Sequence, residues 1–411
     1  MKKILFVFSD GMGCMVRMLP YMVHLRNVGN EVAFFTISYP KDILISKDFK
    51  YVEIKLPEIH ENNIYKYSEK WSSWEEFYGM IGFNDKEWID GLFLDFIDGI
   101  KIYKPDLIIS DVDFYPNVVA KILQIPCISF VQSCFLSDTY KKQICWWDKP
   151  LIRGEKEYAI VKNINYVIKK WGLKEINSIT ELYIGDYTII PSFPEFDCVD
   201  SLKENMIYLG PHIEDNIFGN NENCENLFSK FSTDSFKIFA YIGRLEEKRS
   251  KKANYLVLDA LIQLSKNKEY SIVFSDYYNS LSNNIISENN LSVVKGWIPT
   301  SQAYKNSNLI IHHGGHSSSM ANFIFGAPAI ILPTTTEREY NARSIDKLKC
   351  GELLLPEYLM NDPNIFVKTV EKINYNYTFY KDNIINWQMT IKQKYPNPIA
   401  EFMKIYDKII N

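Results

Sequence analysis

The chain has 411 residues, 46% of them hydrophobic, and a formal net charge of −4 at pH 7; that length predicts two domains, and that composition excludes a disordered chain. The mild acidity excludes the basic field a nucleic-acid partner needs. Seven cysteines without paired spacing exclude a disulfide framework and a zinc site, and no apolar run reaches membrane-spanning length, so a reducing cytoplasmic setting is expected.

In chain order, Met1-Lys2-Lys3 leads into a buried strand, Ile4 to Phe8, with no signal-peptide pattern. A loop containing Gly11 and Gly13 follows, then a helix predicted from about Arg17 to Val28, with Pro20 in its first turn and Gly29-Asn30 as its stop. Glu31 to Thr36, Asp106 to Ser110, Ile128 to Val131 and Tyr187 to Ile190 read as further strands alternating with helical patterns, which is parallel β/α architecture. Asn216 to Asp234 is rich in Asn, Ser and Glu and reads as an interdomain linker. A second β/α series starts at Phe236 to Ile242 and runs to about Val370, and the stretch from Lys381 onward reads as helix. Enrichment in Lys, Asn and Ile suggests an AT-rich bacterial genome.

The segment with the most chemistry is His312-His313-Gly314-Gly315-His316-Ser317-Ser318-Ser319, between the strand-like Asn308 to Ile311 and the helix-like Met320 to Phe325. A strand, a Gly-Gly turn and a Ser-rich helix start present backbone N–H groups and a positive dipole end to an anion. A His beside the turn can add a donor.

With the segments around it, this motif resembles family 1 glycosyltransferases. Those enzymes have His-x-Gly-Gly with a hydroxyl residue, a helix, Gly-x-Pro, a strand ending in Pro, then an acid, Gln, two spacers and Asn-Ala. Here Gly326-Ala327-Pro328, Ala329 to Pro333 and Glu337-Arg338-Glu339-Tyr340-Asn341-Ala342 fill those places. Either His312 or His313 can be the motif's His; adjacency to Gly314 favours His313. Trp297-Ile298-Pro299 stands where the family has Trp-x-Pro. Gly11-Met12-Gly13-Cys14-Met15-Val16-Arg17 resembles the Gly-x-Gly-His-x-x-Arg element of related bacterial enzymes, and Pro191 to Asp197 with Gly210-Pro211 resembles the end of their first domain.

The resemblance implies a GT-B fold: α/β, two Rossmann-like doubly wound parallel-sheet domains facing across a cleft, with a C-terminal helix crossing back. The expected boundaries are an acceptor domain at 1–215, a linker at 216–234, a nucleotide-sugar domain at 235–380 and the returning helix at 381–411. The implied activity is inverting, metal-independent transfer of a sugar from a UDP- or TDP-linked donor to a hydrophobic natural-product or lipid-like acceptor. The nucleotide sugar is a co-substrate and no separate cofactor is expected; a homodimer is compatible with the reading.

On the donor side His313, Gly315, Ser317 and Ser318 would hold the diphosphate, and Trp297 and the Ile298 backbone the base. Glu337 would bind sugar hydroxyls. Gly243-Arg244 follows the first strand of the second domain, where Arg244 either clamps phosphate or is a solvated loop charge. Two departures stand out. Arg338 replaces the usual Gln and would favour a sugar bearing a carboxylate or another acceptor-rich group, unless Glu337 or Glu339 neutralises it. Ala321 replaces an acid that many relatives use for the ribose.

On the acceptor side Cys14 stands in the place of the family's catalytic His, beside Gly13, and a thiol is a poor base near neutral pH. Asp10, in the same loop, and Asp111, after a strand where the family has its orienting Asp, are the candidate bases. An acceptor that is already acidic would need little help. Trp71, Trp74 and Trp146 lie in aromatic-dense, poorly periodic segments suited to an apolar acceptor. A nucleotide-sugar epimerase of the same fold and a silent auxiliary partner are the alternatives.

Overall fold

The computed structural model of the chain describes residues 1–9, 11–37, 40–57, 77–136, 155–197, 199, 201–213, 227–243, 251–276, 281, 290–295 and 298–410. The described residues form two compact units. One comprises those up to His212 with those from Tyr395 onward; the other runs from Ile213 to Lys394.

The first unit is a seven-stranded sheet of β1 (Lys3–Phe8), β2 (Glu31–Phe35), β3 (Lys50–Tyr51), β4 (Leu107–Asp111), β5 (Cys127–Phe130), β6 (Tyr187–Ile190) and β7 (Met206–Tyr208), in the order β3-β2-β1-β4-β5-β6-β7. Every pairing is parallel. Helices α1 (Met12–Asn27), α2 (Lys86–Tyr103), α3 (Tyr115–Leu123) and α4 (Glu155–Lys170) belong to this unit. β1 is buried continuously from Ile4 to Phe8, the pattern of a parallel strand covered on both faces.

Helix α1 begins earlier than the sequence suggests, so Pro20 lies inside it and not in its first turn. An interior proline costs roughly 3 kcal/mol. Against that, Met15, Val16, Met18, Leu19, Met22 and Leu25 are all buried, at roughly 1.5–3 kcal/mol per fully buried apolar side chain. Burial wins, and the helix tolerates the missing N–H. Past β5 and β6, the hydroxyls of Ser133 and Ser192 both donate to the buried Asp197 carboxyl, tying the 191–197 segment to the end of the sheet.

The second unit is a six-stranded parallel sheet of β8 (Phe236–Tyr241), β9 (Tyr270–Asp276), β10 (Leu291–Lys295), β11 (Leu309–His312), β12 (Ala329–Ile331) and β13 (Gly351–Leu353), ordered β10-β9-β8-β11-β12-β13. Its helices include α5 (Lys251–Leu264), α6 (His316–Phe325), α7 (Thr336–Lys347), α8 (Asn364–Tyr375) and α9 (Tyr377–Lys394). Ile238, Ala240, Ile272, Phe274, Leu309 and Ile311 enter one hydrophobic cluster, while Phe239, Val273 and Ile310 enter another. That alternation is the period-2 signature of a sheet with helices on both faces.

Two expected boundaries move. Leu227 and Phe228 are buried in the second unit's cluster with Phe239 and Ile310, so 227–234 is part of that unit and not linker. The stretch 381–411 divides as well. Up to Lys394 it is α9, whose Lys381 Nζ and Gln388 Nε2 donate to the Gly326 and Ile324 carbonyls at the end of α6, at 2.6 and 2.5 Å. The last helix, α10 (Pro398–Ile410), belongs to the first unit: Phe402 packs against Tyr21 with ring centroids 4.8 Å apart and the rings tilted by 59°, and the Tyr406 hydroxyl bonds Asn30 at 3.1 Å.

Gly351 opens β13 opposite Ala329, and a Cβ there would run into the Ala329 backbone. Gly351→Ala is expected to cost roughly 1–3 kcal/mol by overpacking. A thermal midpoint equal to wild type would refute that close approach.

Candidate functional site

In each sheet the chain reverses its winding beside the first strand, between β1 and β4 and between β8 and β11. Ligands of open α/β sheets bind at the carboxyl ends of the strands at such points.

In the second unit, β11 ends on His312, paired with Tyr241 of β8. Strand parity sends His312 to the face of Ile310, under α6. There its ring is fully engaged: Gly314 N–H donates to Nδ1 at 3.0 Å, and Nε2 lies 2.9 Å from Asn322 Oδ1. The acceptor role of Nδ1 makes Nε2–H the donor. Asn322 in turn donates to the Ala327 carbonyl at 2.8 Å, closing the helix end. Burial pushes the His312 imidazole down to about 4, with the Asn322 bond opposing.

His313 is half-buried, packed edge-on to Tyr241 with centroids 5.4 Å apart. Its Nδ1 is buried with no hydrogen-bond partner. A Cβ on Gly315 would sit 3.0 Å from His313 Nε2, and one on Gly243 3.5 Å from Nδ1, so both glycines make room for this ring. Burial lowers the His313 pKa well below its ordinary value; the Arg338 and His312 charges add to that, and a Tyr241 backbone hydrogen bond opposes it.

The turn itself depends on Gly314. Its φ is +88°, and a Cβ would lie 2.8 Å from the Arg338 carbonyl oxygen and 2.9 Å from Ile331 Cγ2. Its carbonyl accepts from Asn341 Nδ2 at 2.9 Å. Gly315 then caps α6 with no side-chain hydrogen bond and no acid in the first turn, leaving the helix's positive end without an acidic side chain of its own. Ser317 and Ser318 are half-buried on that turn.

α7 approaches the same turn. Thr335 caps it by accepting from Arg338 N–H at 3.4 Å, and the Arg338 guanidinium donates through Nη1 to Thr334 Oγ1. Glu337 accepts from Asn341 at 3.1 Å. Glu339 is buried and takes both Arg343 Nε and Nη2, at 2.9 and 2.7 Å.

In the first unit, Asp111 ends β4 beside Phe8 of β1. The side chain is 1% exposed and held by Arg17, with Nη2 at 2.9 and 2.7 Å from the two oxygens and Nε at 3.1 Å. Burial raises its pKa, while Arg17 and a side-chain hydrogen bond from Cys14 oppose the rise. Cys14 is half-buried on the first turn of α1, its Sγ 3.7 Å from Arg17 Nη2. Gly13 is exposed beside it. Val112 follows at φ 68°, and Asp113 N–H bonds back to the Asp111 carbonyl at 2.9 Å. This tight γ-turn is strained for a β-branched residue. The Tyr115 hydroxyl donates to Asp113 at 2.7 Å.

The structure thus brings His313, Gly243, Gly315 and Arg338 together, with Glu337 joined through Asn341, and gathers Cys14 and Asp111 separately. Asp10, Trp71, Trp74, Trp146, Arg244 and Trp297 lie outside the described residues. Ile298 is buried in the cluster with Ala303 and Tyr304. Sequence reasoning gave no role to Arg17, Asn322 or Asn341, although Arg17 and Asn341 both stand in the quoted motifs.

A profile for the erythromycin biosynthesis protein CIII-like C-terminal domain matches residues 258–392. The UDP-glucosyltransferase YojK of Bacillus subtilis (strain 168), itself uncharacterised, is 19% identical over 269 residues, 64% of this chain and 63% of that protein. A PGL/p-HBAD biosynthesis glycosyltransferase of Mycobacterium tuberculosis (strain ATCC 25177 / H37Ra) is 22% identical over 272 residues, 62% of this chain and 60% of the relative. The alignments therefore span less than two thirds of either relative. Among solved structures, the spinosyn rhamnosyltransferase SpnG complexed with thymidine diphosphate superposes with a TM-score of 0.74 at 14% identity, over 98% of this chain and all of that one. The fold is GT-B, that of natural-product glycosyltransferases.

His312 has a lowered pKa, so the unfolded chain binds more protons than the folded one between 6.5 and about 4. Its contribution is complete above pH 6.5 and is lost as pH falls through that window, by at most ~3 kcal/mol; His313 acts in the same sense. Urea unfolding of the second unit should show its midpoint falling from neutral pH to about pH 5, and less steeply in His312→Gln. An identical slope in that variant would exclude His312 as a source.

Proposed function

We propose that this GT-B chain is an inverting glycosyltransferase that moves a sugar from a uridine- or thymidine-diphosphate donor to a hydrophobic small-molecule acceptor without a metal ion. The observation that carries the reading is the Gly314-Gly315 turn at the β8/β11 switch point, where an acid-free helix start and a desolvated His313 converge. As the bond from the anomeric carbon to the diphosphate breaks, negative charge grows on the leaving oxygen. Fixed donors aimed at that charge lower the barrier. The first-turn amides of Ser317 and Ser318 and the positive end of α6 supply them. His313 is neutral before the donor arrives, so it adds an N–H donor and no standing charge. The bound diphosphate raises its proton affinity as charge develops.

Inversion requires the acceptor oxygen to attack the anomeric carbon opposite the diphosphate and to lose its proton. Cys14 stands where the resembled enzymes have a His, and Asp111 holds Cys14 as their Asp holds that His. Arg17 locks Asp111, so the carboxylate works through its neighbours. Proton removal is then left to Asp10 in the same loop, or the acceptor is already a carboxylate, phosphate or phenol. The solved structure of SpnG complexed with spinosyn aglycone supports an apolar acceptor, and that of SpnG with thymidine diphosphate supports the donor class.

The protein should be incubated with a panel of nucleoside diphosphate sugars, with and without apolar acceptors, and released diphosphate and isomerised sugar followed by mass spectrometry. Acceptor-dependent release is expected, falling about 100-fold or more in His313→Ala with folding retained. Donor turnover without acceptor would indicate an epimerase. An unchanged rate in the variant would remove the donor-site assignment.

A further inference from the structure

The His313 ring lies between two residues without side chains: a Cβ on Gly315 would stand 3.0 Å from Nε2, and one on Gly243 3.5 Å from Nδ1. Nδ1 is buried with no hydrogen-bond partner. The Nε2 edge is the one beside Gly315, the residue that caps α6. The ionisable side chains on the described elements around the ring are Tyr241 of β8, edge-on at 5.4 Å, His312 at the end of β11, His316 at the start of α6, and Glu337, Arg338 and Glu339 of α7. Glu337 bonds Asn341 and Glu339 bonds Arg343. Burial is the main cause that keeps the ring neutral, and the Arg338 and His312 charges act in the same direction.

A nucleotide sugar brings a doubly charged diphosphate to that turn. The positive end of a helix sets only about half a unit charge against it. A neutral imidazole has one proton for two nitrogens, and the buried Nδ1 competes with Nε2 for it. The imidazolium carries an N–H on Nε2 in every case. An opposite charge within ~4–6 Å favours the charged form of an ionisable group, and two such charges on one ligand oppose the burial that keeps the ring neutral. Resting on the donor-site reading above, we propose that His313 takes up one proton from solvent as the diphosphate binds, so that the leaving group departs onto an imidazolium. The ring gains one positive charge, the buffer loses one proton, and no covalent bond of the donor changes at this step.

Calorimetry on the full chain should use UDP-glucose and TDP-glucose, whose diphosphates do not titrate near neutral pH; the terminal phosphate of bare UDP does, with a second pKa of about 6. Titrations at one pH in phosphate and in Tris, whose ionisation heats differ, count the protons taken up. Uptake approaching one proton per donor is expected. The bound state then holds more protons than the free one, so affinity strengthens as pH falls through neutrality, by at most about tenfold per pH unit. His313→Gln keeps a side-chain N–H donor and cannot titrate; it should bind the donors with no uptake and with an affinity flat over the same range. Wild-type binding without uptake overturns the proposal, as does an uptake that His313→Gln retains. If that variant does not fold, the carbon-13 shifts of the His313 ring in the wild type, followed through pH with and without UDP-glucose, report the same proton, and a titration unmoved by the donor overturns the proposal. If neither nucleotide sugar binds, or His313→Ala binds both as tightly as wild type, the donor site itself is refuted and this inference goes with it.

Discussion

Between β11 and α6 the polypeptide passes through one residue held on every side. Gly314 donates to His312 Nδ1 and accepts from Asn341 Nδ2, and a side chain on it would strike Ile331 and the Arg338 backbone. The placement of the first turn of α6 follows from that grip. His312 is locked to Asn322, which closes the far end of α6, so strand end, turn and helix form one hydrogen-bonded body. Lys381 and Gln388 of α9 bind the last carbonyls of the same helix. A helix so fastened at both ends presents its first-turn amides at a set angle, and preorganised donors need no rearrangement when charge appears.

The first unit solves a similar problem with charge. Its switch point is held by the Arg17–Asp111 pair, buried and bonded through three contacts. Removing one partner of such a pair leaves an uncompensated charge and typically costs about 3–5 kcal/mol. The same pair positions Cys14. The turn after it carries Val112 at positive φ, a conformation that persists only where the surroundings impose it. This buried ion pair and the strained turn lie at the strand ends where ligands of this architecture bind.

Much of this was legible in the residues. Continuous apolar runs such as Ile4 to Phe8 and Leu309 to Ile311 mark strands buried on both faces, and glycine pairs mark the turns between them. Local patterns fail where a distant contact decides. Pro20 suggested a helix start because proline suits a first turn, yet the buried stripe from Met15 to Leu25 carries the helix through it. The polar stretch before Phe236 suggested linker, yet Leu227 and Phe228 within it find a hydrophobic cluster. The family resemblance offered Asp111 as one of two candidate bases, and only the fold shows Arg17 across from it.

Taken alone, the sequence determined two parallel α/β units, the Gly-Gly turn and the residue types around it, because periodicity and backbone permissiveness are local properties. It left two adjacent histidines and two candidate carboxylates undivided. Tertiary structure separates the histidines: His312 ends its strand beneath α6 with both ring nitrogens bonded, and His313, past the strand end, packs edge-on to Tyr241. It also shows what Asp111 bonds to, a cation that the chain folds against it from 94 positions away.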